Sequence, residues 1–205
     1  AETAGAAACT PCAAGKYTDA NASTACAACA AGMYAGGAGA SACAVCAAGA
    51  YAETAGAAAC TPCAAGKYTD ANASTACAAC APGEHAGAPG MSACRACAPG
   101  FYTTDPTTSA CSACAAGTYA SAPGATTCVP CVAGTYSKFS ASSTCTACPP
   151  GRNTTGRGAS HLGQCVWPGG AACDADNCTC PPGFHVLRDN ETAGTCEPCA
   201  PGTYL

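Results

Sequence analysis

The segment Cys9-Thr-Pro-Cys12-Ala-Ala-Gly15-Lys-Tyr17 sets a phrase, C-x-x-C-x-x-G-x-Y, that the chain repeats. Its first cysteine returns every 17 residues, at Cys26, Cys43, Cys60, Cys77, Cys94, Cys111, Cys128 and Cys145. Its second follows at Cys29, Cys46, Cys63, Cys80, Cys97, Cys114, Cys131 and Cys148. The glycine recurs at the same pitch from Gly32 to Gly151. The aromatic recurs at Tyr34, Tyr51, Tyr68, Tyr102, Tyr119 and Tyr136, with His85 and Asn153 as the exceptions. A fixed period is the signature of stacked units that contact mainly their neighbours. The expected fold is a small disulfide-rich repeat: an elongated, solenoid-like rod with little regular secondary structure beyond short β-hairpins and turns.

Composition excludes an ordinary core. Half the residues are nominally hydrophobic, but most of those are Ala and Cys. Val, Leu and Phe together number 11, and Ile is absent. Chains this poor in large aliphatic groups do not fold on apolar burial alone. The 24 cysteines supply the alternative. Each bridge closing a loop of ~15 residues restricts the unfolded chain by roughly 3 kcal/mol in the entropy model. Cysteine this dense places the chain in an oxidising, extracellular compartment.

A second signal agrees. The five asparagines, Asn21, Asn72, Asn153, Asn177 and Asn190, each open an Asn-x-Ser/Thr sequon. Ser and Thr make up about 18% of the chain, so chance rarely gives five in five. N-linked glycans are expected at these sites, with O-linked glycans on the Ser/Thr background. Asn21 and Asn72 lie one residue before a turn position, which puts their glycans at loop tips. Asn153 occupies an aromatic slot, which implies that the slot is partly exposed.

The chain divides into three regions. Residues 1–151 hold nine regular repeats. Residues 152–195 are a degenerate pair, in which Leu162 takes the first-cysteine slot, Cys165 keeps the second, and Cys173, Cys178 and Cys180 are irregular. Residues 196–205 begin a further regular repeat with Cys196 and Cys199. The sequence starts inside one repeat and stops inside another, as a window on a longer protein would. Residues 1–30 and 52–81 are identical, an offset of three repeats.

Within a repeat, Pro and Gly bracket each C-x-x-C and predict turns. The residue four before the first cysteine is Gly at Gly5, Gly39, Gly56, Gly90 and Gly124, suited to a left-handed turn. Two or three extended residues around each aromatic can form a minimal hairpin. No helix is expected, because glycine interrupts every gap between cysteines. The periodic tyrosines are expected to pack on the sulfurs rather than to bind a ligand.

Other functions lack their residues. Two C-x-x-C pairs can hold zinc, but sequons and the scarcity of Lys point away from a zinc ribbon, so no metal site is expected. Asp174-x-Asp176-Asn177 is too short for a calcium loop. His85, His161 and His185 sit in different repeats, with no nucleophile motif or carboxylate pair, so no catalysis is expected. A net charge of −4 with 9% charged residues gives no basic patch for nucleic acid. No apolar run approaches the ~18 residues of a membrane span.

Cysteine pairing stays open between two patterns. Each second cysteine can bridge to the first cysteine of the next repeat (Cys12–Cys26, Cys29–Cys43 and onward), which makes every repeat equivalent. Alternatively, cysteines can pair crosswise within blocks of two repeats. The three-repeat duplication leans toward the first, because it would split two-repeat blocks.

Cys97-Ala-Pro-Gly-Phe-Tyr102 and Cys145-Thr-Ala-Cys148-Pro-Pro-Gly151 resemble the cysteine-rich repeats of ephrin-receptor type, themselves similar to tumour necrosis factor receptor modules. The resemblance implies the crossed pairing. Long arrays of this kind resemble surface and fibre glycoproteins of protists, including mastigoneme proteins. The expected function is therefore a structural protomer of an extracellular glycosylated fibre or coat that associates with its own copies. The alternative is the stalk or ectodomain of a receptor or surface antigen. Leu162, Trp167, Phe184, Val186 and Leu187 concentrate the large side chains of residues 152–195. They are the expected protomer contact.

Overall fold

The computed structural model describes residues 9–21 and 23–166, and the backbone of two further strands, Phe184–Leu187 and Thr195–Pro198. Its contacts form two compact bodies. One is Ala1–Cys97 with Thr103–Cys111; the other is Ala98–Tyr102 with Ser112–Leu205. The same repeat chemistry builds both.

Each repeat turns at its C-x-x-G. In the first, Lys16 N–H donates to Ala13 O at 3.0 Å, and Gly15 has φ +82°. A third turn residue with positive φ is the requirement of a type II turn, and glycine meets it without strain. The two residues after the turn glycine run as a strand. Lys16–Tyr17 pairs antiparallel with Ala27–Ala28, the residues between the next two cysteines. Tyr136 likewise pairs with Thr146. Two-residue strands are too short to be stable alone, so the bridges and contacts between repeats must hold them. The hairpins expected around each aromatic are present. Among the described residues there is no α-helix, and one 3-10 turn, Leu162–Gln164.

The disulfides form a ladder. Each second cysteine bonds the first cysteine of the next repeat, 14 residues on: Cys12–Cys26, Cys29–Cys43, Cys46–Cys60, Cys63–Cys77, Cys80–Cys94, Cys97–Cys111, Cys114–Cys128 and Cys131–Cys145. The crossed pairing implied by the resemblance is corrected. The hairpin register explains the ladder: strand pairing sets Tyr17 opposite Ala27, and this holds Cys26 beside the start of its own loop at Cys12.

The core is made of sulfur and small side chains. Cys12, Cys29, Cys46, Cys63, Cys80, Cys97, Cys114 and Cys131 are buried, and their first-cysteine partners are half-buried. The residue after the aromatic is buried too: Ala35, Ala52, Thr69, Ala86 and Thr103 in the first body, Ala120, Ser137 and Thr154 in the second. That position holds only Ala, Ser or Thr in all nine repeats, a signal passed over in the sequence reading. The hydroxyls there are satisfied locally. Thr69 and Ser74 share a hydroxyl–hydroxyl bond of 2.6 Å, and Ser137 donates to Ser142 at 2.7 Å.

Neighbouring repeats also exchange backbone hydrogen bonds. Gly15 N–H donates to Ala35 O at 2.9 Å, and Gly117 N–H to Ser137 O at 2.8 Å. Gly56 N–H reaches back to Cys29 O, and Ala141 N–H to Cys114 O, both at 2.8 Å. Gly39, Gly56, Gly90 and Gly124, singled out from the sequence, all have positive φ. Ala73 and Ala141 hold the same slot at φ +57° and +59°.

The ninth hairpin is built differently. Cys148 bonds Cys165, closing a 17-residue separation. Asn153 pairs with Val166, the residue after Cys165, as Tyr17 pairs with the residue after Cys26. Cys165 therefore acts as a first cysteine displaced by three residues, which corrects its assignment to a second-cysteine slot. The 3-10 turn takes up the extra length. Gln164 Oε1 ties it down, accepting from Ser160 N–H at 2.6 Å and bonding His161 Nδ1 at 2.8 Å.

Candidate functional site: the ladder and the sequon loops

Three of the five sequon asparagines are described, and Asn21, Asn72 and Asn153 are all exposed. Asn72 lies in a loop whose next residue is the left-handed Ala73. Its Oδ1 accepts from Ala48 N–H at 3.1 Å, which leaves Nδ2, the atom that carries an N-glycan, outside that bond. Asn153 stands in a strand at an aromatic slot, next to the buried Thr154. Thr154 Oγ1 accepts from Gly134 N–H at 3.0 Å and donates to Gly156 O at 2.8 Å. Asn177 and Asn190 lie outside the described residues.

The rings in the aromatic slots, from Tyr17 to Tyr136, are half-buried. Tyr51 lines the same surface groove as Cys77, the first cysteine two repeats on. His85 stands in the same relation to Cys111, with Nδ1 3.3 Å from its sulfur. At His85 the ring in this slot reaches a ladder sulfur.

Cys9 carries an exposed sulfur that bonds no cysteine among the described residues. It is a first cysteine, and the ladder bonds first cysteines only to the repeat before. Cys173, Cys178, Cys180 and Cys199 lie outside the described residues. Cys196 falls within the strand Thr195–Pro198, opposite Val186.

The proposed assembly residues are not brought together by anything described. Leu162 sits at the start of the 3-10 turn, 47% exposed. Phe184, Val186 and Leu187 lie in the strand that pairs with Thr195–Pro198. Trp167 lies outside the described residues. Phe139, 69% exposed with Lys138 Nζ 5.5 Å from its ring, is a large apolar group that the sequence reading did not select.

Among the described residues, Asp105 is the group with a displaced acidity. Its Oδ1 accepts Thr107 N–H and Thr107 Oγ1–H, both at 2.8 Å, and these bonds hold the carboxyl below the usual carboxylate range. Thr107 occupies the turn slot filled by Gly90 in the repeat before.

Residues 32–80 and 117–165 match the family model described as tyrosine-protein kinase ephrin type A/B receptor-like. Both matched blocks are similar to ephrin-receptor-like repeats. Each matched block opens on a turn glycine, Gly32 or Gly117, and closes on a buried cysteine, Cys80 or Cys165. Together the blocks cover just under half of the chain. No curated protein matches it. The ephrin-receptor-like repeats are disulfide-held and of extracellular type, and no helix among the described residues is long and apolar enough to cross a membrane.

Proposed function

We propose that the chain is a structural protomer of an extracellular, glycosylated fibre or surface coat, acting without catalysis and without nucleic acid or a cofactor. One observation carries the reading. Every described rung of the ladder joins consecutive repeats, and the same backbone bonds recur from repeat to repeat in both bodies. Such a chain gains length by adding equivalent repeats, as a fibre component requires. The exposed Asn21, Asn72 and Asn153 suit an outer, glycan-covered face. Residues 152–195, with Leu162 at their exposed turn, supply the contact between copies.

The name of the matched family favours a second reading, a receptor ectodomain that binds a protein ligand through a regular repeat. Negative-stain imaging of native material separates the two. Filaments with a regular axial repeat support the fibre. A dispersed, monomeric particle that captures a separate protein supports the receptor. Deleting residues 152–195 is expected to abolish filaments, and filaments of unchanged pitch after the deletion would remove this segment from the assembly.

A further inference from the structure

His85 makes one rung of the ladder chemically unlike the others. In the other repeats of the first body the same slot holds tyrosine, whose phenol is a poor metal ligand at neutral pH. At Cys97–Cys111 the slot offers an imidazole nitrogen. The donor atoms of His85, Cys97 and Cys111 all lie within 4.8 Å of one another, and His85 Nδ1 is 3.3 Å from the Cys111 sulfur. While the disulfide is intact, both sulfurs are committed to each other and the cluster holds no ion.

We propose that reduction of Cys97–Cys111 opens a site for a borderline-soft divalent cation of the Zn2+ class, with His85 Nδ1 and the two thiolates as ligands. A small dithiol supplies the reduction: its two S–H groups become a disulfide, and Cys97 and Cys111 gain the two hydrogens. The cation then displaces the two thiol protons into solution. Metal–sulfur bonds of ~2.3 Å and a metal–nitrogen bond of ~2.0 Å in tetrahedral geometry place ligand atoms about 3.5–3.8 Å apart. The nitrogen is already near that distance from Cys111. The two sulfurs reach it by the separation that any reduced pair adopts. Cys97 is fully buried, and hairpin pairing holds His85 opposite Arg95, so the backbone around the site is fixed. The remaining coordination position is open to water or an outside ligand.

The test uses the full chain and a phosphine as reductant, since a dithiol would itself chelate the metal. The phosphine takes an oxygen from water and becomes its oxide as the disulfide takes up two hydrogens. After limited reduction, Cd2+ is added as the probe, free thiols are alkylated and the peptides are mapped. Cd2+ is expected to protect Cys97 and Cys111 selectively. His85→Tyr restores the residue of the neighbouring repeats and so preserves the fold. It should raise the Cd2+ concentration for half-protection at least ~10-fold, with other rungs unchanged. Tyr51→His should confer the same protection on Cys63 and Cys77. Protection that is equal at all rungs, or that survives His85→Tyr, overturns the proposal.

Discussion

The turn glycine Gly15 lies against the backbone carbonyl of Gly56, two repeats further on, so closely that a Cβ on Gly15 would stand well inside van der Waals contact with that oxygen. Gly32 meets Ala73 in the same way, and Gly117 meets Gly158. The glycine of the repeat phrase is thus required twice, for its positive φ and for this contact.

Gly15→Ala is therefore expected to be severe. Left-handed backbone costs an alanine roughly 1–2 kcal/mol, and the clash with Gly56 O adds to it. Gly37, with nothing within 4 Å of a Cβ and no positive φ, is the control. Thermal unfolding of the oxidised chain should show a large loss for Gly15→Ala and little change for Gly37→Ala. Equal effects would mean that the contact is not a constraint.

Ala141 predicts the opposite sign. It is held at φ +59° in a slot that glycine fills at Gly124 and Gly158. Ala141→Gly should remove the strain and return up to about 1 kcal/mol after the entropy of glycine is counted. A lower melting temperature would contradict this.

Removing one rung tests the sulfur core. Cys63→Ser with Cys77→Ser opens a loop of 14 residues and deletes a fully buried sulfur. The expected cost is about 3 kcal/mol, read as hydrogen exchange confined to the repeats on either side. Peptide mapping of the unreduced parent chain should recover Cys63 bonded to Cys77.

Asp105 gives a pH dependence of known sign. Its carboxyl is held below the ordinary range by the Thr107 bonds. Its contribution to stability is therefore present above the unfolded-state pKa and is lost as pH falls through the lower, folded value. Protection of the Thr107 amide from hydrogen exchange should fall across that acidic window. Asp105→Ala should abolish the pH dependence there, since no carboxylate remains to titrate.

The 17-residue pitch, the absence of large aliphatic residues and the C-x-x-C-x-x-G-x-Y phrase determined by themselves that this chain is a disulfide-held repeat of turns and two-residue hairpins. These features are local: a left-handed glycine, a tight turn and a short strand are specified within a few residues. The slot after the aromatic, always Ala, Ser or Thr in the nine repeats, was legible too, as a position that admits only small side chains and is buried in eight of them. Pairing of the cysteines was not legible. Several partners are within reach of each cysteine along the chain, and only the register that sets Tyr17 opposite Ala27 selects Cys26 for Cys12. For the same reason Cys165 could be placed by spacing in one slot while the fold used it in another. The approach of Gly15 to Gly56 and of His85 to Cys111 spans 41 and 26 residues of sequence. Contacts of that separation arise from how repeats stack, and only the tertiary structure decides them.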